Sequence, residues 1–155
     1  MIEYALTSRL TDVAMTRSLL DSLEVYYPEF GYWYTNQCIP GIMTGPDKLL
    51  VAKDAGRVIG IALGKVSSKE TKLRCVRVLP DYQNKGVGLH LIERMLRHLD
   101  HDKPYCTVAE EMLHLYSRAF VNLFQFSLDE VNKGMYRQNK LEYCFNVQNH
   151  TDRGG

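Results

Sequence analysis

The sequence predicts an α/β fold in which a mixed, mostly antiparallel sheet is flanked by helices on both faces. Three observations lead there. Two apolar runs, Lys48 to Lys53 and Arg57 to Val66, are joined by Asp54-Ala55-Gly56 as a tight antiparallel hairpin. A further strand, Thr71 to Leu79, ends at Pro80, and a glycine-bearing turn then opens an amphipathic helix from Gly86 to Leu99. The chain of 155 residues, 45% hydrophobic and 24% charged, is long enough for one well-buried core and too short for two ordinary domains. A single domain over residues 1–147 is expected, with a frayed tail over 148–155.

The elements follow in chain order. Met1 to Thr7 reads as a short strand. Thr11 or Asp12 then offers an N-cap for a helix whose Val13, Leu19, Leu20 and Leu23 share one face. From Val25 to Pro46 the pattern breaks: Tyr26, Tyr27, Phe30, Tyr32, Trp33 and Tyr34 crowd among Pro28, Gly31, Pro40, Gly41, Gly45 and Pro46. An irregular segment with at most a short helix is expected there. In the second hairpin strand, Ile59, Ile61 and Leu63 alternate with Gly60, Ala62 and Gly64, so one face is bulky and the other bare enough for a helix to approach closely. That helix is Gly86 to Leu99. Its Leu89, Leu91, Ile92, Met95, Leu96 and Leu99 fill one arc, with His90, Glu93, Arg94, Arg97 and His98 opposite. Tyr105 to Ala109 reads as a strand, Glu110 to Phe124 as a helix and Leu141 to Val147 as the closing strand. No internal repeat, low-complexity tract or linker interrupts them.

Bulk properties exclude several classes. Nineteen Lys and Arg against eighteen Asp and Glu give a formal charge of +1, so no global field draws in nucleic acid or an anionic membrane. The start, Met1-Ile2-Glu3-Tyr4, lacks the pattern of a signal peptide, and no stretch approaches the roughly 18 apolar residues of a membrane span. A soluble, cytoplasmic protein is expected, and monomer or homodimer is left open. Cys38, Cys75, Cys106 and Cys144 form no CxxC pair, which predicts reduced, mostly buried thiols. His98 and His101 have a spacing capable of holding a metal, yet with no third ligand nearby no metal site is expected. Tyr136-Arg137-Gln138-Asn139-Lys140 reads as a solvated basic loop, with an RNA or acidic-substrate contact as the minor alternative.

The chemistry concentrates where the strand Leu73 to Leu79 passes through Pro80-Asp81-Tyr82 into Gln83-Asn84-Lys85-Gly86-Val87-Gly88. At a helix start the first backbone amides have no internal partner and the dipole is positive, so a diphosphate can accept their hydrogen bonds. Glycine at 86 and 88 removes side chains that would block its approach. Lys85 adds a cationic contact. The GK[ST] ending of a Walker loop is absent, and so is GxGxxG.

Val76-Arg77-Val78 followed by Gln83 through Gly88 resembles motif A of the GNAT family of N-acetyltransferases, written Q/R-x-x-G-x-G/A after a strand closing in V-x-V. The resemblance covers roughly residues 1 to 147, most specifically 48 to 99. It implies a GNAT-like fold in which acetyl-coenzyme A enters where two strands part. The amides of Gln83, Asn84, Lys85, Gly86, Val87 and Gly88 would hold the diphosphate, and the backbone of Val76 and Val78 the pantetheine arm. The implied activity is transfer of acetyl to a primary amine of a small molecule or protein, by direct attack in a ternary complex without a metal. Two alternatives stand beside it: a coenzyme-binding regulatory module without catalysis, and an acetyltransferase for a macromolecular acceptor such as aminoacyl-tRNA.

Such a transfer needs a deprotonated amine and a proton for the departing thiolate. The strand position where the family often places a Glu falls on Lys72, which cannot serve as a base while charged. Glu70, two residues earlier and on the same face by parity, is the nearest carboxylate. For the acid, Leu115-Tyr116-Ser117-Arg118-Ala119-Phe120 resembles the family's LYxxxGF but is one residue short and lacks the Gly. A second register ends on Phe126 and sets Val121 where the Tyr belongs. Tyr116 is the candidate acid in the first register and a core ring in the second. The aromatics of residues 26–34 either line an acceptor pocket, with cation-π contacts available, or plug a helix junction.

Overall fold

The structure, a computed structural model, describes residues 1–149, so the tail expected from 148 onward lies almost wholly outside the described residues. Strand β1 (Ile2–Thr7) leads into helices α1 (Leu10–Met15) and α2 (Arg17–Leu20) and a 3-10 turn, Asp21–Val25. Neither Thr11 nor Asp12 caps α1. The helix starts earlier, with Arg9 at the N-cap position and no side-chain cap. Asp12 instead faces inward, where it accepts a 2.6 Å hydrogen bond from the Thr7 hydroxyl and pairs with Lys53 Nζ at 2.7 Å. A buried carboxylate needs such partners, and here they tie the helix to the sheet.

Residues 30–44 are more helical than their Gly and Pro content implies. Helix α3 (Phe30–Trp33) continues through a π turn, Tyr34–Cys38, into α4 (Ile39–Thr44). Pro40 costs about 3 kcal/mol inside an α-helix. It is tolerated here in the first turn of α4, where its missing N–H is least needed. Gly45, at φ 116°, caps the end.

Strands β2 (Asp47–Asp54), β3 (Arg57–Val66) and β4 (Thr71–Val78) complete an antiparallel sheet of order β1-β2-β3-β4. Asp54 pairs with Arg57 across Ala55 and Gly56, both at positive φ (51° and 82°), as a primed hairpin turn requires. Helix α5 (Val87–Leu99) follows. Then come β5 (Cys106–Ala109), α6 (Leu113–Arg118) with a π turn at Ala119–Leu123, β6 (Leu128–Lys133) and β7 (Leu141–Phe145). The last three strands form a second antiparallel sheet, β5-β7-β6. Strand β6 has no counterpart in the sequence expectation: Leu-Asp-Glu-Val-Asn-Lys is an exposed edge with little apolar alternation. The sheets join through a parallel bridge between Lys72 and Tyr105, with Leu73 N donating to Tyr105 O and Tyr105 N to Thr71 O, both at 3.0 Å.

Two apolar layers sandwich the first sheet. On one side α5 presents Val87, Leu91, Ile92, Met95 and Leu99 to Leu50, Ala52, Ala62, Leu73 and Val76, and Phe120, Phe126 and Phe145 extend this core. Each large apolar side chain so buried contributes about 1.5–3 kcal/mol. Leu89, assigned above to the buried arc, is exposed, and Val87 takes its place one turn boundary earlier. On the other side Val13, Leu19, Leu20, Leu23, Tyr34, Cys38 and Ile42 cover Leu49, Val51, Val58, Ile61 and Leu63. Ile59 crosses to the α5 side because a bulge in β3 pairs Ala52 with Gly60 but Lys53 with Val58, leaving Ile59 as the extra residue.

The bare face of β3 admits α5 closely. A Cβ on Gly60 would sit 3.1 Å from Leu91 Cδ1, and one on Gly64 2.8 Å from Met95 Sδ and 3.0 Å from Leu99 Cδ2. Gly64→Val is therefore expected to lose about 1–3 kcal/mol to overpacking despite the β-propensity of valine. A lowered urea midpoint with unchanged slope checks this, and a raised midpoint refutes it.

Candidate functional site

Strand β4 carries the features that open the molecule. Leu63 pairs with Cys75 and Gly64 with Leu73, so Arg74 is the extra residue of a second bulge. Bulges bend a strand and re-aim a side chain. Beyond the Lys72–Tyr105 bridge, β4 and β5 separate. The gap between them is a narrow cavity of about 60 Å³ walled by residues 73–77, residues 106–109, Met112, Tyr116 and Phe120. It adjoins a larger cavity of about 440 Å³ on the α3 side, and Tyr27, Leu73, Arg74, Cys75, Cys106 and Thr107 belong to both walls.

At the far end of β4 the chain turns through a 3-10 segment, Pro80–Tyr82, into the glycine-bearing turn. Asn84 (φ 64°) and Gly86 (φ 84°) both take left-handed conformations, and Gly86 is the N-cap of α5. A Cβ on Gly88 would approach only Val78 Cγ2, at 3.9 Å, so the surface over the helix start is open. The first turn of α5 carries no acidic residue, while Arg97 and His98 occupy the last, where cations suit the dipole. Lys85 lies 5.8 Å from the centre of the Tyr82 ring, and the Tyr82 hydroxyl donates to Asp54, pinning the turn to the hairpin tip. This cradle fits a diphosphate: left-handed backbone, room above the amides and a lysine beside them.

The two strand residues expected to hold the donor arm have carbonyls bonded within the chain. Gln83 Nε2 donates to Val78 O at 3.0 Å, and the Tyr116 hydroxyl donates to Val76 O at 3.0 Å. Tyr116 faces the gap, stacked on Phe120, whereas Val121 is 44% exposed. Of the two registers, only the first places its key residue in the gap. Burial raises the Tyr116 pKa, partly offset by Arg77, so the phenol keeps its proton at neutral pH.

Glu70 lies elsewhere. It is in the wall of neither cavity, and its Oε1 takes ion pairs from Lys65 at 3.2 Å and Lys72 at 3.1 Å. Burial raises its carboxyl, but hydrogen bonds from Lys72 and Lys65 carry it below the usual range. The structure does not bring Glu70 and Tyr116 together.

A second carboxylate, unremarked in the sequence, stands closer. Glu142 on β7 is buried, and its Oε2 accepts a 2.9 Å hydrogen bond from the hydroxyl of Tyr27, which lines both cavities. Burial raises its pKa, opposed by hydrogen bonds from Thr107 and Tyr27. Between the ordinary and the raised value the folded state thus holds a proton that the unfolded chain has already released. The stability linked to this site is fully present below the ordinary carboxylate range and is lost as pH rises through the raised folded value. Glu142→Gln should remove that loss: the difference in urea midpoint between variant and wild type should shift in favour of the variant as pH rises through the window. A difference that stays flat with pH refutes the assignment.

The aromatic segment divides its rings between the two uses considered for it. Tyr34 is core, its hydroxyl 3.0 Å from Thr16 Oγ1. Tyr27, Phe30 and Trp33 line the larger cavity, and Tyr32 points to solvent. The 136–140 stretch departs from a simple solvated loop. Met135 and Tyr136 form part of the cavity wall, Tyr136 meets Tyr27 edge to face at 5.1 Å, and Arg137 grips Glu111 with bonds of 2.8 and 2.6 Å. The β6–β7 loop is thereby strapped over the cavity.

The four cysteines are free thiols: Cys38, Cys106 and Cys144 are buried and Cys75 is partly covered. Cys75 and Cys106 both border the two cavities, and burial pushes the Cys75 thiol up to about 12. Burial raises the Cys106 thiol as well. Neither is a thiolate nucleophile at neutral pH. His98 is exposed, and His101 Nδ1 accepts from the Lys103 amide. Among the described residues no group of three or more His, Cys, Asp or Glu is arranged to hold a metal, and no helix is long and apolar enough to cross a membrane.

Comparison with known proteins adds to this geometry. The family model described as the acetyltransferase (GNAT) family matches residues 13–139. No curated protein sequence matches the chain. Solved structures do. A GNAT-family protein from Desulfovibrio desulfuricans aligns with TM-score 0.74 at 15% identity, covering 94% of this chain and 97% of that one. The ribosomal-protein-S18-alanine N-acetyltransferase from Escherichia coli aligns with TM-score 0.69 at 17% identity, covering 94% and 92%. A GNAT-family acetyltransferase from Elizabethkingia anophelis with acetyl-CoA bound aligns with TM-score 0.59 at 14% identity, covering 93% and 95%. At such identities the likeness speaks for the fold.

Proposed function

Since the chain belongs to the GNAT acetyltransferase family, we propose that it binds acetyl-coenzyme A along β4 and over the start of α5 and transfers the acetyl group to a primary amine held in the larger cavity. The observation that carries this reading is continuity. The gap between the parted strands, lined by Tyr116, shares wall residues with the aromatic cavity, and the open glycine turn follows on the same strand's continuation.

Each part has a task. Backbone amides from Gln83 to Gly88, with Lys85, neutralise the diphosphate. The carbonyls of Val76 and Val78 accept from the amides of the pantetheine arm once Tyr116 and Gln83 release them. Tyr116, freed in this way and still protonated, donates to the departing thiolate. An amine of pKa about 10.4 must lose a proton before attack. Glu142, acting through the Tyr27 hydroxyl, is better placed to accept it than Glu70, which lines neither cavity and is held ionised by Lys65 and Lys72. Direct attack in a ternary complex is favoured over a covalent enzyme intermediate because the cysteines at the gap are not thiolates.

The test combines two measurements. Calorimetry with acetyl-coenzyme A should show saturable binding. Mixing with an amine panel of peptides, amino acids, polyamines and aminoglycosides should release free thiol above the rate of hydrolysis. Binding without release from any amine would favour the regulatory-module reading, and release with peptide or aminoacyl-tRNA alone would favour the macromolecular acceptor.

A further inference from the structure

The larger cavity has a chemical character that narrows its occupant. Its walls are aromatic, with Tyr27, Phe30, Trp33, Tyr105 and Tyr136 around a volume of about 440 Å³. Its charged floor is cationic, formed by Lys72 and Arg74.

Partners for these cations are too few to neutralise them. Lys72 shares the single carboxylate of Glu70 with Lys65, so two ammonium groups face one negative charge. Arg74 Nε lies 3.4 Å from Asp47 Oδ1 without a hydrogen bond between them, and its guanidinium lies 4.9 Å from the centre of the Trp33 ring. Within these ion pairs three cations, Lys65, Lys72 and Arg74, share two carboxylates, Glu70 and Asp47. Among the described residues no hydrogen bond is made by the two terminal nitrogens of Arg74. Among the described residues the one carboxylate in the wall is that of Glu29, which is exposed. Glu142 stands behind Tyr27, engaged by its hydroxyl.

Arg74 is in this position because it is the bulged residue of β4. An arginine lying over an aromatic ring, with two terminal nitrogens that make no hydrogen bond of their own, suits a planar carboxylate. A second ammonium group on the acceptor would meet Lys72 and Arg74 at close range, where screening by water is weakest.

We infer that the acceptor is a primary amine that also carries a carboxylate, on an apolar or aromatic body, an amino-acid-type molecule whose carboxylate is held by Arg74 and Lys72. This rests on the larger cavity being the acceptor side of the proposed transfer. Polyamines and aminoglycosides are disfavoured by the same charges.

The protein supplies its own probe, because Trp33 is the chain's single tryptophan and lies against Arg74. Coenzyme A-loaded protein is titrated with phenylalanine, phenylalanine methyl ester, phenethylamine and spermidine while Trp33 emission is followed. Phenylalanine is expected to give a saturable change, with affinity at least about tenfold above the three ligands lacking a carboxylate, which is one charge-assisted contact of about 1.4 kcal/mol. The preference should vanish in Arg74→Gln. Since that change strands the Asp47 carboxylate, the double variant Arg74→Gln/Asp47→Asn is titrated beside it and should behave alike. Equal or tighter binding of phenethylamine or spermidine overturns the inference, as does a carboxylate preference that survives in the double variant. Failure of acetyl-coenzyme A itself to bind by calorimetry is a separate result and sinks the donor assignment instead.

Discussion

Gly86→Asp is expected to weaken acetyl-coenzyme A binding by on the order of 100-fold, about 2.8 kcal/mol. Two causes add. Gly86 sits at φ 84°, a left-handed conformation that costs an L residue about 1–2 kcal/mol. The new carboxylate also lies at the helix start where the diphosphate is to be held, and like charges repel strongly there. Gly86→Ala separates the terms, since it carries the backbone cost without the charge and should lose far less affinity. Calorimetry on both variants decides: unchanged binding by Gly86→Asp would remove the diphosphate from this turn.

Tyr116→Phe is expected to lower kcat by about 10²-fold or more while leaving the Kd for acetyl-coenzyme A nearly unchanged. The ring, its stacking on Phe120 and its place in the gap are all retained, and only the hydroxyl is lost. A purely packing role predicts the opposite pattern: full turnover, with stability lowered by about 1 kcal/mol for the lost bond to Val76 O. Because burial raises the Tyr116 pKa, wild-type kcat should hold on the alkaline side past the ordinary tyrosine value near 10. A fall well below that pH argues for a different acid.

What could be read from the residues alone is what local pattern encodes. The hairpin closed by Ala55-Gly56, the strand ending before Pro80 and the arc of α5 all follow from short periodicities and from glycines whose roles are set by near neighbours. Ile59 and Arg74 escaped because a bulge leaves no trace in an alternating pattern, yet it moves a side chain to the other face. The helical run from Phe30 to Thr44 escaped because Gly31, Pro40 and Gly41 argue against helix, while packing of Tyr34, Cys38 and Ile42 on the sheet argues more strongly for it. The glycine-bearing turn proposed for the donor is contiguous in sequence, which is why a motif can mark it. The larger cavity, proposed for the acceptor, draws on Trp33, Arg74, Tyr105 and Tyr136, four distant segments, and no motif spans them. Glu142 differs from other glutamates only in being buried, which its neighbours in sequence do not reveal.

Strand β4 is the outer strand of its sheet, and separation from β5 leaves part of its backbone facing outward. Exposed strand edges invite pairing with another chain. The Tyr116 hydroxyl and the Gln83 side-chain amide occupy two of the acceptors that such a partner would need. These two side chains thereby guard the edge against strand addition and self-association, and on the proposed reading a pantetheine arm that displaces them takes over that protection as well as their contacts.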